Sequence, residues 1–375
     1  YRKQSSSEWC QYRFTMCRWM SLFSMLLAMW LTSVVVPDSA GLMQTSVEKR
    51  TLNNSRTSIA LSFMANGDWG GEPDWPYTNP AQLAVAHAMG KQASKIDAKF
   101  TLLLGDNFYY HGVESVDDPR WVDGFENVFT SNNLQSDHHF RVIAGNHDDE
   151  GNVSAQILYS SKSPRWFFPS RYYEFEEETS DMKVHFVMID TNILKRETPE
   201  SQRHWAWLTN VLANSSADFL VVAGHHPVWS SCKNGPTRKL LPYLKPLLEE
   251  SNVSVYLAGH DHCAEHIEEN GVQYHTNGAG SGFEARRHRK RRTSIPRGLS
   301  KWLCSRANVN TGGFIQGVAD PILGLTLSHL DSEGTILYKA PPIKSRQARI
   351  EVVKDEVCTG EGRLGTSFSV DGRCA

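Results

Sequence analysis

The sequence has no surplus of charge of either sign. Thirty-nine Lys and Arg stand against 41 Asp and Glu in 375 residues, a formal charge of −2 with a pI near 6.8. Nothing in that balance argues for general binding to nucleic acid or another polyanion. Cysteine is scarce too. Apart from Cys10 and Cys17, only Cys232, Cys263, Cys304, Cys358 and Cys374 are present. That odd number leaves one thiol over, and the spacing fits neither a zinc ribbon nor a dense disulfide scaffold. A Cys358–Cys374 bridge closing the tail is one pairing open to them. Internal repeats and low-complexity tracts are absent, so no repeat architecture competes with a globular reading.

The length suffices for one large α/β domain or two smaller ones, with a core of their own. From Trp19 to Val36 runs an uncharged apolar stretch preceded by Arg18 and followed by Pro37-Asp-Ser-Ala40. This pattern is expected of a signal peptide, with a signal anchor as the alternative. Because the chain opens on Tyr1 rather than Met, an upstream extension or a fragment end is expected, with Met16 or Met20 as other starts. Residues 1–40 are therefore set apart from a catalytic region expected over 58–340 and a tail over 341–375. Asn-X-Ser sequons at Asn53, Asn152, Asn214 and Asn252 fit secretion and glycosylation. One basic run, Arg286-Arg-His-Arg-Lys-Arg-Arg292, reads as a solvated loop; the competing reading is a nuclear signal or anionic-partner patch, which a leader argues against.

The chemistry gathers where apolar runs stop. Phe100-Thr-Leu-Leu-Leu-Gly-Asp106 is a buried strand that hands a carboxylate, and Tyr109 three residues on, to a loop at a sheet edge. Ile59–Ala65 runs into Gly67-Asp68, Phe140–Ala144 into Gly145-Asn146-His147, Phe219–Ala223 into Gly224-His225-His226 and Val253–Ala258 into Gly259-His260-Asp-His262. Each apolar run thus ends in Gly and a residue able to bind a metal. Helical spacing over Pro80–Ile96, Trp121–Phe129, Glu200–Leu212 and Lys239–Glu250 separates them, with further strands over 171–178 and 183–190. Strand, loop and helix in that order predict an α/β domain with its chemistry on one rim. In extended backbone His260 and His262 would project to the same side and serve two neighbouring ions. His87, His111, His138, His139, His185 and His204 lack such a setting and are expected on the surface or in helices without a ligand role.

The set Gly-Asp68-X-Gly, Gly-Asp106-X-X-Tyr109, Gly-Asn146-His147, Val222-X-X-His225 and Gly-His260-X-His262 resembles the signature of the purple acid phosphatases within the metallophosphoesterase superfamily. The phrases Gly-Asp-Trp-Gly-Gly, Leu-Gly-Asp-Asn-Phe-Tyr, Ala-Gly-Asn-His-Asp and Gly-His-His-Pro-Val-Trp-Ser are similar to those of the small, tartrate-resistant members. The resemblance runs from about Ile59 to Tyr338, and Tyr109 separates this family from relatives lacking the phenolate. It implies a four-layer αββα sandwich of two mixed sheets with helices outside. It also implies Fe(III) held by Asp68, Tyr109 and His262, with Asp106 bridging to a second divalent ion, Fe(II), Zn or Mn, held by Asn146, His225 and His260. Such a site stays cationic against its own ligands and attracts a phosphate dianion. The implied reaction is acid hydrolysis of small phosphomonoesters or phosphoproteins by a metal-bound hydroxide in line with the leaving group. His147 and His226 are the candidates for phosphate positioning or leaving-group protonation. Action on diesters or nucleotides, and iron-dependent generation of reactive oxygen species, are the alternative readings. The expected protein is a monomer, secreted or lysosomal/vacuolar, with no nucleic acid partner and no membrane contact unless the leader stays as an anchor.

Two departures from the resemblance matter. Where small members carry a Glu-His pair before Gly-Pro-Thr, this chain has Lys233-Asn234, which leaves the proton donor to His147 or His226. The segment Thr191–Pro199, where mammalian relatives have a long repressive loop, is short. The protein is therefore expected to be active as synthesised; a large activity gain on limited proteolysis within 191–199 would contradict this.

Overall fold

The computed structural model describes residues 60–135, 137–283, 295–304 and 311–349. The expected leader, the Asn53 sequon, the basic run and the Cys358–Cys374 pairing fall outside them. The first strands are β1 (Leu61–Asn66), β2 (Phe100–Leu103), β3 (His139–Val142), β4 (Trp166–Phe167), β5 (Tyr173–Glu178), β6 (Lys183–Ile189) and β7 (Phe219–Gly224). There follow β8 (Val255–Ala258), β9 (Ala264–Glu269), β10 (Val272–Asn277), β11 (Ser300–Leu303), β12 (Gly313–Asp320), β13 (Gly324–Asp331) and β14 (Ile336–Lys339). They form two seven-stranded mixed sheets, ordered β14-β13-β12-β1-β2-β3-β4 and β11-β9-β10-β8-β7-β6-β5.

Alternation of side chains explains why the sheets stack. On β6, Val184, Phe186 and Met188 enter the core shared with the first sheet, alongside Phe63, Phe100 and Leu102. The intervening Val187 and Ile189 join Leu220, Val222 and Tyr256 in a second core under helices α5 (Pro199–Asn214) and α6 (Leu241–Glu250). A strand apolar on both faces is stable only when both are covered, and β6, β7 and β8 are parallel to one another and covered on both. Helix α1 (Pro80–Ile96) puts Val85 and Met89 into the core of the first sheet. The result is the expected four layers of helix, sheet, sheet and helix.

Local chemistry sets the helix starts. Asn79 Oδ1 accepts the Gln82 amide at 2.8 Å and Pro80 opens α1; Thr198 Oγ1 accepts the Ser201 amide at 3.1 Å and Pro199 opens α5. The stretch expected to be helical from Trp121 is a single π turn, Trp121–Glu126, that buries Trp121 and Phe125. Within the expected tail, Ile343 pairs with Leu325, and Arg346 and Arg349 donate to carbonyls of Ser215 and Asn252.

The sheets also meet through histidines. His266 of β9, His275 of β10 and His329 of β13 are fully buried. The first two rings stack at 4.3 Å, His275 Nδ1 lies 3.0 Å from His329 Nε2, and Tyr338 Oη lies 3.0 Å from His266 Nδ1. Burial pushes His266 down to about 4, with Lys301 adding to it. It pushes His329 down to about 3 and His275 well below its ordinary value. The folded chain thus binds fewer protons than the unfolded chain below the ordinary value of 6.5. The stability these rings contribute is complete above that value and drains away as pH falls toward 4. Scanning calorimetry is expected to show Tm falling across this window, with about 3 kcal/mol lost through His266 alone, and a shallower fall in His266→Asn.

Candidate metal centre

The C-terminal ends of β1, β2, β3, β7 and β8 come together on one rim. Asp68, Asp106, Asn146, His225 and His260 stand at those ends. Close approach of backbones makes this possible. A Cβ on Gly145 would lie 2.1 Å from Asp106 Oδ1, and one on Gly105, at φ +90°, would lie 2.7 Å from His225 Nδ1. Three of the candidate ligands are themselves bent into the left-handed region: Asp68 at φ 57°, Asp106 at 51° and His260 at 68°. Non-glycine residues adopt that conformation at a cost and gather at functional sites. Because His260 is left-handed rather than extended, the expected same-side projection of His260 and His262 does not occur. His260 turns toward His225 and His226, with ring centroids 5.1 and 4.4 Å away, and His262 turns toward Tyr109 and Asp68.

The donor atoms form two groups. Tyr109 Oη, His262 Nε2 and Asp68 Oδ1 make a triangle with sides of 3.0, 3.3 and 3.3 Å. His225 Nε2 lies 3.1 Å from Asn146 Oδ1 and 3.3 Å from Asp106 Oδ1. Atoms each about 2.1 Å from a shared ion and at right angles around it stand about 3 Å apart, so both spacings suit a metal. Asp68, Asp106 and His225 offer atoms within 4.8 Å of one another, which places Asp106 between the groups.

The electrostatics demand a cation here. Asp68 and Asp106 are almost wholly buried. Burial alone would raise the Asp106 carboxyl, but the charge and hydrogen bond of His225 hold it well below the usual carboxylate range. Burial alone would lower His225, yet Asp106 raises it to about 9. Burial and the two aspartates push the Tyr109 phenol far up. A hard metal ion would meet that same demand for positive charge while leaving His225 neutral and turning Tyr109 into a phenolate. Burial and His225 push His260 down to about 3, so it offers a neutral ring.

The candidate ligands have hydrogen-bond partners behind them. His225 Nδ1 donates to the Leu104 carbonyl at 2.9 Å, which aims Nε2 at Asp106 and Asn146. The amide of His260 donates to Asp68 Oδ2 at 2.6 Å, and that of His147 to Asp106 Oδ1 at 3.0 Å. Asp148, fully buried, accepts from the amides of Asn107, Phe108 and Gly145 and from Gln156 Nε2, tying the loops after β2 and β3 together. Burial and Asp106 raise it to about 6. A Cys232–Cys263 disulfide, with Cα atoms 6.6 Å apart, clips the segment after His225 to the one carrying His260 and His262. Sequence reasoning missed this bridge, since a separation of 31 residues carries no spacing signal. It also gave no role to Asp148, although the residue sits inside the Gly-Asn-His-Asp phrase.

The two proton-donor candidates differ in setting. His147 gives Nδ1 to the Tyr110 carbonyl at 2.6 Å and stays partly open, with Nε2 4.0 Å from Asp106 Oδ2. His226 is buried; its Nδ1 meets Thr191 Oγ1 at 2.8 Å and its Nε2 meets Lys195 Nζ at 2.5 Å. Burial and its cationic neighbours push His226 far down, and burial pushes Lys195 down to about 8, which leaves the ammonium charged in acid. His226 shares a ligand-sized cluster with His225 and His260, but Thr191 and Lys195 occupy both its nitrogens. Asn234, of the departing pair, donates from its amide to Asp261 Oδ1 at 2.7 Å and from Nδ2 to the His260 carbonyl at 3.2 Å.

Of the other histidines, His111 is exposed on the loop after β2 and pairs with Glu150 at 2.8 Å. His138 and His185 are buried rather than on the surface, against Thr101 and against Glu174 with Ser215, while His204 lies in helix α5 as expected, buried against Tyr172. Of the sequons, Asn152 is exposed but caps helix α3 (Val153–Tyr159) through its Oδ1, Asn214 is exposed at the end of α5, and Asn252 is half-buried.

Comparison with known proteins follows the same lines. The calcineurin-like phosphoesterase family pattern matches residues 61–264. Tartrate-resistant acid phosphatase type 5 of Oryctolagus cuniculus is 39% identical over 296 residues, covering 74% of this chain and 90% of that protein. The Homo sapiens protein of the same name is 36% identical over 298 residues, covering 75% and 90%. Purple acid phosphatase 7 of Arabidopsis thaliana is 34% identical over 243 residues, covering 59% and 70%. In fold, the chain is similar to GAP50, the anchor in the inner membrane complex of Plasmodium, with a TM-score of 0.66 at 24% identity over 84% of this chain and all of that one. It is similar to a purple acid phosphatase of yellow lupin seeds, with a TM-score of 0.56 at 16% identity over 75% and 53%.

Gly145→Ala is expected to push Asp106 out of place and weaken metal binding about 10- to 100-fold. Elemental analysis after dialysis against graded chelator checks this; unchanged metal retention would contradict it.

Proposed function

The chain belongs to the calcineurin-like phosphoesterase family and, within it, to the purple acid phosphatases of the tartrate-resistant kind; from that premise we propose a phosphomonoesterase working at a dinuclear centre in acid. That it is a hydrolase, an acid phosphatase, comes with the family. The observation that supports the finer reading is the split of seven donors into two groups on one rim with Asp106 between them.

Asp68, Tyr109 and His262 would hold Fe(III), and Asn146, His225 and His260 a divalent ion, Fe(II), Zn or Mn, with Asp106 shared. Such a pair supplies Lewis acidity to phosphoryl oxygens and lowers the pKa of water far enough to provide a nucleophile in acid. The chain's own residues do the rest. Leu104 fixes which nitrogen His225 presents, Asp148 holds the two loops in register, and the open His147, anchored through Nδ1, presents Nε2 toward a leaving oxygen. His226, with both nitrogens engaged, is the weaker donor candidate. The substrates are small phosphomonoesters or phosphoproteins, and the protein acts as a monomer. Its location is secreted or lysosomal/vacuolar, which a Cys232–Cys263 bridge favours because such bonds persist in oxidising compartments. None of the described helices is long and apolar enough to cross a membrane.

Hydrolysis of a chromogenic aryl phosphate from acid to neutral pH, with and without tartrate, tests this reading. The expected result is tartrate-resistant activity that peaks in acid, exceeds the rate on an aryl diester and falls at least about a thousandfold in Asp106→Ala. A metal-replete wild type that prefers the diester, or cleaves neither, would overturn it.

A further inference from the structure

Lys195 stands just past the short helix α4 (Thr191–Leu194), which follows β6 on the rim that carries the candidate ligands. Its ammonium is half-buried and sits 2.5 Å from His226 Nε2. The nearby carboxylates are committed elsewhere: Arg171 binds Asp149 and, at 2.7 Å, Asp190, while Arg196 binds Asp149. Among the described residues no carboxylate forms an ion pair with Lys195. Burial lowers Lys195, and Asp190 and Asp149 offset only part of this through space; a desolvated cation hydrogen-bonded to a neutral ring rather than paired with a carboxylate costs free energy, and such an arrangement fits a place where an anion arrives.

The position is specific. The His226 ring centroid lies 4.4 Å from that of His260 and 4.9 Å from that of His225, so the ammonium is one imidazole away from the donors assigned to the divalent ion. The tautomer follows from the contacts. Lys195 must donate to Nε2, so Nδ1 carries the proton and gives it to Thr191 Oγ1, which also accepts the His226 amide at 3.1 Å. His226 is thereby a fixed rest for a long flexible side chain, which can exchange a neutral acceptor for an anionic oxygen. On the opposite flank Asn234 is held against His260 and Asp261.

Resting on the phosphomonoesterase reading, we propose that Lys195 is a substrate-binding residue: its ammonium leaves His226 to bind a phosphoryl oxygen on the His260 side of the centre. Charge-assisted bonds to phosphate are among the strong ones, and an ammonium supplies one as a point charge.

The test compares wild type with Lys195→Met, Lys195→Arg and Thr191→Val. With an aryl phosphate, Lys195→Met is expected to raise KM at least about tenfold and to raise the inhibition constant of inorganic phosphate by a similar factor, with kcat changed less; Lys195→Arg restores most of both. Thr191→Val frees the His226 ring but keeps the ammonium, so KM stays within about threefold of wild type. Unchanged KM and phosphate inhibition in Lys195→Met, or the same KM rise in Thr191→Val, would overturn the proposal. Calorimetric titration of metal-loaded wild type and Lys195→Met with inorganic phosphate separates the two readings. Weaker phosphate binding in the variant supports Lys195 even if no phosphomonoester is cleaved, and equal binding refutes it even if the enzyme is active.

Discussion

Two carboxylates with almost no access to water, Asp68 and Asp106, set the terms for everything on the rim. Buried negative charge is costly unless it is paired or bound to metal. Around this pair the chain has arranged little besides backbone amides, imidazoles and a phenol. The amide of His260 points at one carboxylate and that of His147 at the other, while His225 carries compensating charge between them. A dinuclear metal centre resolves the same problem with more charge, and that is why the donor set reads as a metal site rather than a structural ion-pair cluster.

The fold serves that constraint. Parallel strands from both sheets end at one edge, so residues far apart in sequence arrive together while the chain between them forms the helices that cover the outer faces. The turns are tight enough that three candidate ligands take left-handed backbone, and glycines at 105 and 145 let the loops touch. Strain of this sort persists only where surrounding contacts over-determine it. Asp148 and the Cys232–Cys263 bridge are two such contacts, one beneath each half of the site.

The charge around the centre is uneven in a way that bears on function. Arg171 and Arg196 neutralise Asp149 and Asp190 beside it, and Lys195 is left to face an imidazole. In relatives carrying a Glu-His pair, polar help for the substrate would come from the flank that here holds Lys233-Asn234. In this chain a cation stands on the short segment after β6, where Lys195 meets His226.

Much of this was legible in the chain itself. Apolar runs ending in Gly plus Asp, Asn or His depend only on neighbouring residues, so β1, β2, β3, β7 and β8 and the five candidate donors that follow their glycines could be picked out before any tertiary contact was known. The same holds for α1 and α5, whose Asn79-Pro80 and Thr198-Pro199 starts are local chemistry. Tertiary structure alone decided the rest. It turned His260 left-handed and so parted it from His262, it paired Cys232 with Cys263, it buried His138, His185 and His204, and it brought Lys195 to His226. Each of these depends on what the folded chain packs against it, across 31 residues for Cys232–Cys263 and for Lys195–His226. Spacing along a chain encodes local periodicity, whereas the direction of a side chain at a sheet edge is set by what packs behind it.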